Sequence, residues 1–169
     1  MVSEKKAQVA IVMGSDSDLE VMKSCIKQLE SFDIKPIVRI LSAHRTPESA
    51  CEFAQKAAEN GIKVIIAAAG MAAHLAGAMA AHSNLPVIGV PLDSGQGLGG
   101  MDALLSTVQM PPGVPVGTMG IGKAGAKNAA VFAIKIMALN DDSLREKLEK
   151  FKIDQKNNVF NKDSALQKD

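Results

Sequence analysis

Val9-Ala10-Ile11-Val12-Met13-Gly14-Ser15-Asp16-Ser17-Asp18 is the stretch on which the fold turns. Five apolar residues in a row, without alternation, predict a strand covered on both faces, because a half-exposed strand alternates apolar with polar. Gly14 ends the run. The serines and aspartates after it carry short oxygen-bearing side chains suited to the free N–H groups of a helix start. A helix from Asp18 to Phe32 follows. A buried strand passing directly into a helix is the repeating unit of a parallel α/β sheet.

Working outward, the same unit recurs. Lys35 to Leu41 reads as a second strand, and Pro47 to about Asn60 as a helix closed by Gly61. Val64 to Ala69 is the third strand, followed by a helix from Met71 to Ser83. Val87 to Val90, between Pro86 and Pro91, is the fourth; Val116 to Ile121 is the fifth, preceding a helix from Ala124 to Leu139. A charged amphipathic segment from Asp142 to about Val159 reads as a last helix. Ser94–Gly100 and Gln109–Gly113 are rich in glycine and proline and read as loops that can close over a site. The alternation predicts a three-layer α/β/α, flavodoxin-like parallel sheet of five strands with a C-terminal helix. One domain is expected over residues 1–169, with its core at about 8–140 and a helix and tail at 141–169.

Composition removes several classes of function. A formal net charge of +1 gives no electrostatic case for nucleic acid or a membrane surface, and without Trp or Tyr the usual base-stacking platforms are missing. Cys25 and Cys51 lie in helical patterns without C-x-x-C spacing, as in a reduced, cytoplasmic protein. The polar start, Met1 to Gln8, is not a signal peptide. The apolar stretch Val64–Ala81 contains Gly70, His74 and Gly77 and is largely alanine, so it reads as buried strand and helix rather than a membrane span.

Three strand exits carry the chemistry. At the first, Gly14 lets the chain turn tightly and the next helix start offers N–H groups to an anion, with Ser15 and Ser17 as added donors. Asp16 and Asp18 would repel a phosphate, so at least one must turn to other groups such as ribose hydroxyls. A plain capped helix start is an equal reading of that segment alone. The second exit, Ser42-Ala43-His44-Arg45-Thr46-Pro47, sets a proton-transfer group beside a permanent cation; the chain holds three histidines and three arginines in all. Either can be an ordinary surface residue, but the carboxyl edge of a parallel sheet is where ligands bind. No G-x-S-x-G elbow accompanies them, so general acid/base chemistry fits better than a covalent nucleophile. The third exit, Ala69-Gly70-Met71-Ala72-Ala73-His74-Leu75, is built of small residues. It reads as close packing, to which a tight, dry pocket can be added, with the Gly70 backbone open to a carboxylate and His74 facing in from the first helical turn as a neutral donor. His74 and His82 do not form a metal pair, and no metal site is expected.

With these three exits in view, the sequence resembles the PurE family, the carboxyaminoimidazole ribonucleotide mutases of purine biosynthesis. The marks are Met13–Asp18, Ser42–Pro47, Ala72-Ala73-His74-Leu75, Asp102–Pro111 and Gly122–Ala129. The resemblance implies a substrate, N5-carboxyaminoimidazole ribonucleotide (N5-CAIR), whose carboxylate moves from nitrogen to ring carbon C4 to give CAIR. It implies no metal or other cofactor, and a cytoplasmic homo-octamer with sites between subunits. Carried across by position, Ser15, Ser17 and Arg45 bind the 5′-phosphate and Asp18 the ribose. His44 is the general acid/base, with Ser42, Gly70 and His74 near the migrating carboxylate. The AHRTP and AAHL segments look like the class I mutase branch; the branch that fixes free CO2 on aminoimidazole ribonucleotide (AIR) usually carries AHKT. Met71 stands where the family usually has glycine, Ala76 where it usually has proline, and His82 at a variable position. The alternatives are that CO2-using carboxylase, a catalytically silent nucleotide-binding module, and, more remotely, a flavin carrier, for which no aromatic residue stands near the exits.

Overall fold

The structure is a computed structural model and describes residues 8–167. Five parallel strands, β1 (Val9–Met13), β2 (Ile37–Ile40), β3 (Val64–Gly70), β4 (Val87–Leu92) and β5 (Gly117–Thr118), lie in the order β2-β1-β3-β4-β5. That is the flavodoxin-like order. Every residue of β1 and β4 is buried, as expected for inner strands covered on both sides, whereas edge strand β2 keeps Val38 and Ile40 exposed.

Helices α1 (Leu19–Glu30), α2 (Pro47–Lys56), α3 (Leu75–His82), α4 (Met101–Val108) and α5 (Gly122–Met137) connect the strands or follow them. On one face Ala50 and Ala54 of α2 and Leu75, Ala76 and Met79 of α3 pack against Ala10, Val12, Ile65, Ala67 and Val87. The opposite parity of β1 (Val9, Ile11 and Met13) is equally buried. There α1 and α5 adjoin, with Ser24 Oγ donating to the Lys123 carbonyl at 3.3 Å. Cys25 packs near Ala130, and burial pushes its thiol up to about 12, so it stays protonated and inert as a nucleophile.

Two compact units succeed each other along the chain, one ending at Ala133 and one starting at Ile134. The second contains a 3-10 turn, Ala138–Asn140, and α6 (Asp142–Leu166), capped by Asp141, which accepts the Leu144 N–H at 3.2 Å.

Several boundaries differ from the sequence expectations. A 3-10 turn, Asp16–Asp18, precedes α1, and α6 runs past Val159 to Leu166. The helix expected from Met71 starts only at Leu75. Met71 takes a left-handed φ of 54°, and the N–H groups of Ala73 and His74 bond back two residues, to the Met71 and Ala72 carbonyls. Strand β4 continues through Pro91, which pairs with Ala69. Gly89 directs its carbonyl to Met119 N–H, so Pro91, two residues on, turns its missing donor to the side that β5 has already left. Helix α4 was not anticipated; flanking glycines and prolines mask it, and its outer side chains Met101, Leu105 and Val108 are exposed. The reading of the polar N-terminus covers Met1 to Gln8, of which Met1–Ala7 lie outside the described residues.

Helix α4 reaches β4 because Gly89 has no side chain. A Cβ there would overlap the Thr107 Cγ2 methyl and lie 2.9 Å from Val116 Cγ1. Thr107 is buried and donates to the Ala103 carbonyl at 2.7 Å, so it has little room to yield. Gly89→Ala is therefore expected to lower stability by about 1–3 kcal/mol, the usual cost of overpacking a close-packed core. A urea midpoint equal to wild type would refute this contact.

Candidate active site

Strand register brings three loops to one edge. Met13 is level with Ile40 of β2 and with Ala68 of β3. Leu41 N–H donates to the Met13 carbonyl at 2.9 Å, and Gly14 N–H to the Ala68 carbonyl at 3.1 Å. The residues that follow, at Gly14, Ser42 and Gly70, therefore leave the sheet side by side. The chain passes from β1 outward to β2 and then back across to β3, so this edge is the topological switch point. A cavity of about 460 Å³ opens there, of a size that suits a small molecule. Ser15, Ser17, Asp18, Ser42, His44, Arg45, Gly70 and His74 all line it, so the structure brings every site residue named from the sequence to one place.

The first loop is wound tightly. Ser15 caps the 3-10 turn and forms a reciprocal box with Asp18, whose Oδ2 accepts the Ser15 N–H at 3.0 Å. Ser17 Oγ lies 3.0 Å from Ser15 Oγ, which in turn is 3.0 Å from Asp16 Oδ1. Burial raises the Asp18 carboxyl above its usual range, and Asp16 adds to this; the Ser15 and Gly14 N–H groups and the Arg45 guanidinium pull the other way.

A folded value above the unfolded one means that Asp18 helps folding most while protonated, and that this help is lost as pH rises through the folded value. Asp18→Asn copies the neutral form and keeps an acceptor for Ser15 N–H. At neutral pH the variant is expected to melt at or slightly above the wild-type temperature. A clearly lower melting temperature at neutral pH would contradict the sign.

In the second loop Thr46 forms a clasp that sequence reasoning passed over. Its Oγ1 accepts Ser42 N–H at 2.9 Å and donates to the Ser42 carbonyl at 3.1 Å. Ser42 Oγ accepts the N–H groups of His44 and Arg45 at 3.3 and 3.1 Å. The turn is thereby fixed, and Arg45 Nη2 crosses to donate to the Gly14 carbonyl at 2.9 Å, tying the second exit to the first.

The third loop completes the arrangement. His74 caps α3 rather than occupying its first turn, and its Nδ1 faces His44 Nε2 at 2.9 Å with the rings edge-on at 78°. One facing nitrogen donates and the other accepts, so a single proton lies between the two rings. Gly70 has a packing role besides the open backbone expected of it: a Cβ there would approach the Leu92 carbonyl to 3.2 Å and Ser94 Cβ to 3.4 Å. Ser94 also lines the cavity, within a segment read as a loop that can close over a site.

The expectation of a dry pocket is not met by this chain alone. His44, Arg45, Met71, Ala72 and His74 are exposed, because the alanines on the walls are too short to roof the cavity. Among the described residues no group of three or more His, Cys, Asp or Glu is placed to hold a metal ion.

Comparison with known proteins places this geometry in a family. The family model described as AIR carboxylase matches residues 8–158. The N5-carboxyaminoimidazole ribonucleotide mutase of Pyrococcus abyssi is 53% identical over 156 residues, covering 92% of this chain and 88% of the relative. The protein of the same name from Bacillus subtilis is 49% identical over 158 residues, covering 94% and 97%. A crystal structure of PurE from Treponema denticola superposes with a TM-score of 0.83 at 27% identity, covering 94% of this chain and 97% of the other. Both the sequence and the backbone thus lead to one conclusion: the chain belongs to the AIR carboxylase, or PurE, family.

Proposed function

We propose that the protein is an isomerase that converts N5-CAIR to CAIR in purine biosynthesis. The observation that carries this reading is the meeting of His44, Arg45 and the Ser15–Asp18 turn around one cavity. The curated relatives at about half identity bear the mutase name. Arg45, Ser15 and Ser17 are assigned to the 5′-phosphate and Asp18 to the ribose hydroxyls. Ser42, Gly70 and His74 are assigned to the side of the migrating carboxylate.

The chemistry follows from carbamate lability. Protonated His44 gives a proton to the carbamate nitrogen, the N–C bond breaks, and CO2 and AIR are formed. The enamine carbon C4 then attacks CO2, and neutral His44 removes the C4 hydrogen, restoring both the aromatic ring and its own proton. A histidine suits both transfers because it gains and loses protons near neutrality. His74, whose Nδ1 lies 2.9 Å from His44 Nε2, holds that ring in place.

The reading takes the whole chain as one PurE-type domain, acting in the cytoplasm as a homo-octamer on a small ribonucleotide. No described helix is long and apolar enough to cross a membrane. The exposure of His44 and His74, with the exposed apolar side chains of α4, supports a site roofed by a neighbouring copy. The test supplies N5-CAIR without ATP or bicarbonate and follows CAIR. Its formation, faster than any carboxylation of AIR at low bicarbonate, is the expected result. Efficient use of AIR with bicarbonate instead would assign the carboxylase activity, and binding without conversion a silent module.

A further inference from the structure

One lining residue does not fit the pattern of its neighbours. Met71 has a φ of 54°, in the left-handed region that an L side chain rarely adopts, and it stands between Gly70 and Ala72 at the end of β3. Strain of this kind gathers at functional sites, where the surroundings hold it in place. Here they are visible. The Met71 carbonyl accepts Ala73 N–H at 2.8 Å and the Ala72 carbonyl accepts His74 N–H at 2.8 Å, so the turn at Met71 is what delivers His74 to His44. A glycine would take that turn with less strain, which leaves the methionine side chain to be explained.

Its position supplies the explanation. Of the apolar side chains lining the cavity, Ala43, Ala69 and Ala72 are too short to reach across a ligand, and Leu75 is buried. Met71 is 51% exposed and lines the mouth. It is unbranched, with several freely rotating bonds and a polarisable sulfur that packs well against an aromatic ring. Among the described lining residues it alone joins apolar reach with freedom to move.

We propose that Met71 is a positioning and retention residue, which folds over the bound imidazole and keeps the released CO2 beside C4 until the new bond forms. This rests on the mutase reading. In that chemistry the intermediate pair, AIR and CO2, has two fates. Attack by C4 gives CAIR, and escape of CO2 gives free AIR. An apolar cover shifts the partition toward CAIR by excluding water and holding CO2 at high effective concentration.

The experiment measures both products from N5-CAIR by chromatography, corrected for non-enzymatic decay, with wild type, Met71→Gly, Met71→Ala and Met71→Leu. Circular dichroism confirms that each is folded. Glycine and alanine are expected to raise the AIR-to-CAIR ratio several-fold while turnover of N5-CAIR continues. Leucine, which keeps apolar bulk, is expected to hold the ratio near that of wild type. A wild-type ratio in folded Met71→Gly and Met71→Ala would overturn the proposal. So would complete loss of turnover in both, which would place Met71 in the chemistry itself. Failure of the wild-type protein to form CAIR from N5-CAIR would instead overturn the mutase reading, so the two failures are distinct.

Discussion

His44→Asn is expected to lower conversion of N5-CAIR to CAIR by a factor on the order of 10²–10⁴, the span attached to a positioned acid/base group. Asparagine can still hydrogen-bond, but it cannot exchange a proton near neutrality. Both halves of the reaction then fail: the carbamate nitrogen has no donor, and the C4 hydrogen has no acceptor. Ligand binding is expected to survive within a few-fold, because the phosphate grip is assigned to Ser15, Ser17 and Arg45, and His44 takes no part in the Arg45–Gly14 bond. The measurement pairs the rate of CAIR appearance with calorimetric affinity for AIR. A variant converting at the wild-type rate would remove His44 from the mechanism, and one that neither binds nor folds would point to a structural role.

Arg45→Met is expected to act on the other parameter. The guanidinium bonds Gly14 and Ser42 at the rim of the cavity, where donors remain for a phosphate. Hydrogen bonds to a charged group contribute about 1.5–3 kcal/mol, which corresponds to a rise in KM of roughly 10- to 100-fold. Because the phosphate is remote from C4, the interaction is similar in ground and transition states, so kcat should change much less than KM. Arg45→Lys should recover only part of the loss, since an ammonium is a point charge without the fork. An unchanged KM with a collapsed kcat would mean that Arg45 serves the chemistry and that the anion lies elsewhere. Because Arg45 is exposed, neither variant should lose much stability.

The inner strands and the three exits were legible because they are local and chemically uniform. Val9–Met13 and Val64–Ala69 are unbroken apolar runs, and each ends in a glycine. Parallel alternation puts the strand ends on a common carboxyl edge, which is why residues as distant along the chain as Ser15, His44 and His74 are assignable to one site from sequence. What stayed hidden depends on tertiary contact. Helix α4 is short, with an exposed apolar side and glycine-rich flanks, so its pattern competes poorly with that of a loop. Strand β4 runs through Pro91 only because β5 leaves the sheet first, a relation that no local pattern encodes. The Met71 turn breaks the helix reading because left-handed backbone is improbable for methionine on local grounds alone. The direct bond between His44 and His74 follows from that turn and was equally invisible.

In the proposed reaction the carboxylate leaves nitrogen and returns to carbon without quitting the site. N5-CAIR carrying 13C in its carboxylate, turned over in buffer with excess unlabelled bicarbonate, tests this most directly by mass spectrometry of the product. Retention of the label in the C4 carboxylate of CAIR is the predicted result. Its replacement by unlabelled carbon from the medium would contradict this retention, because the bond at C4 would then be made with CO2 drawn from solution.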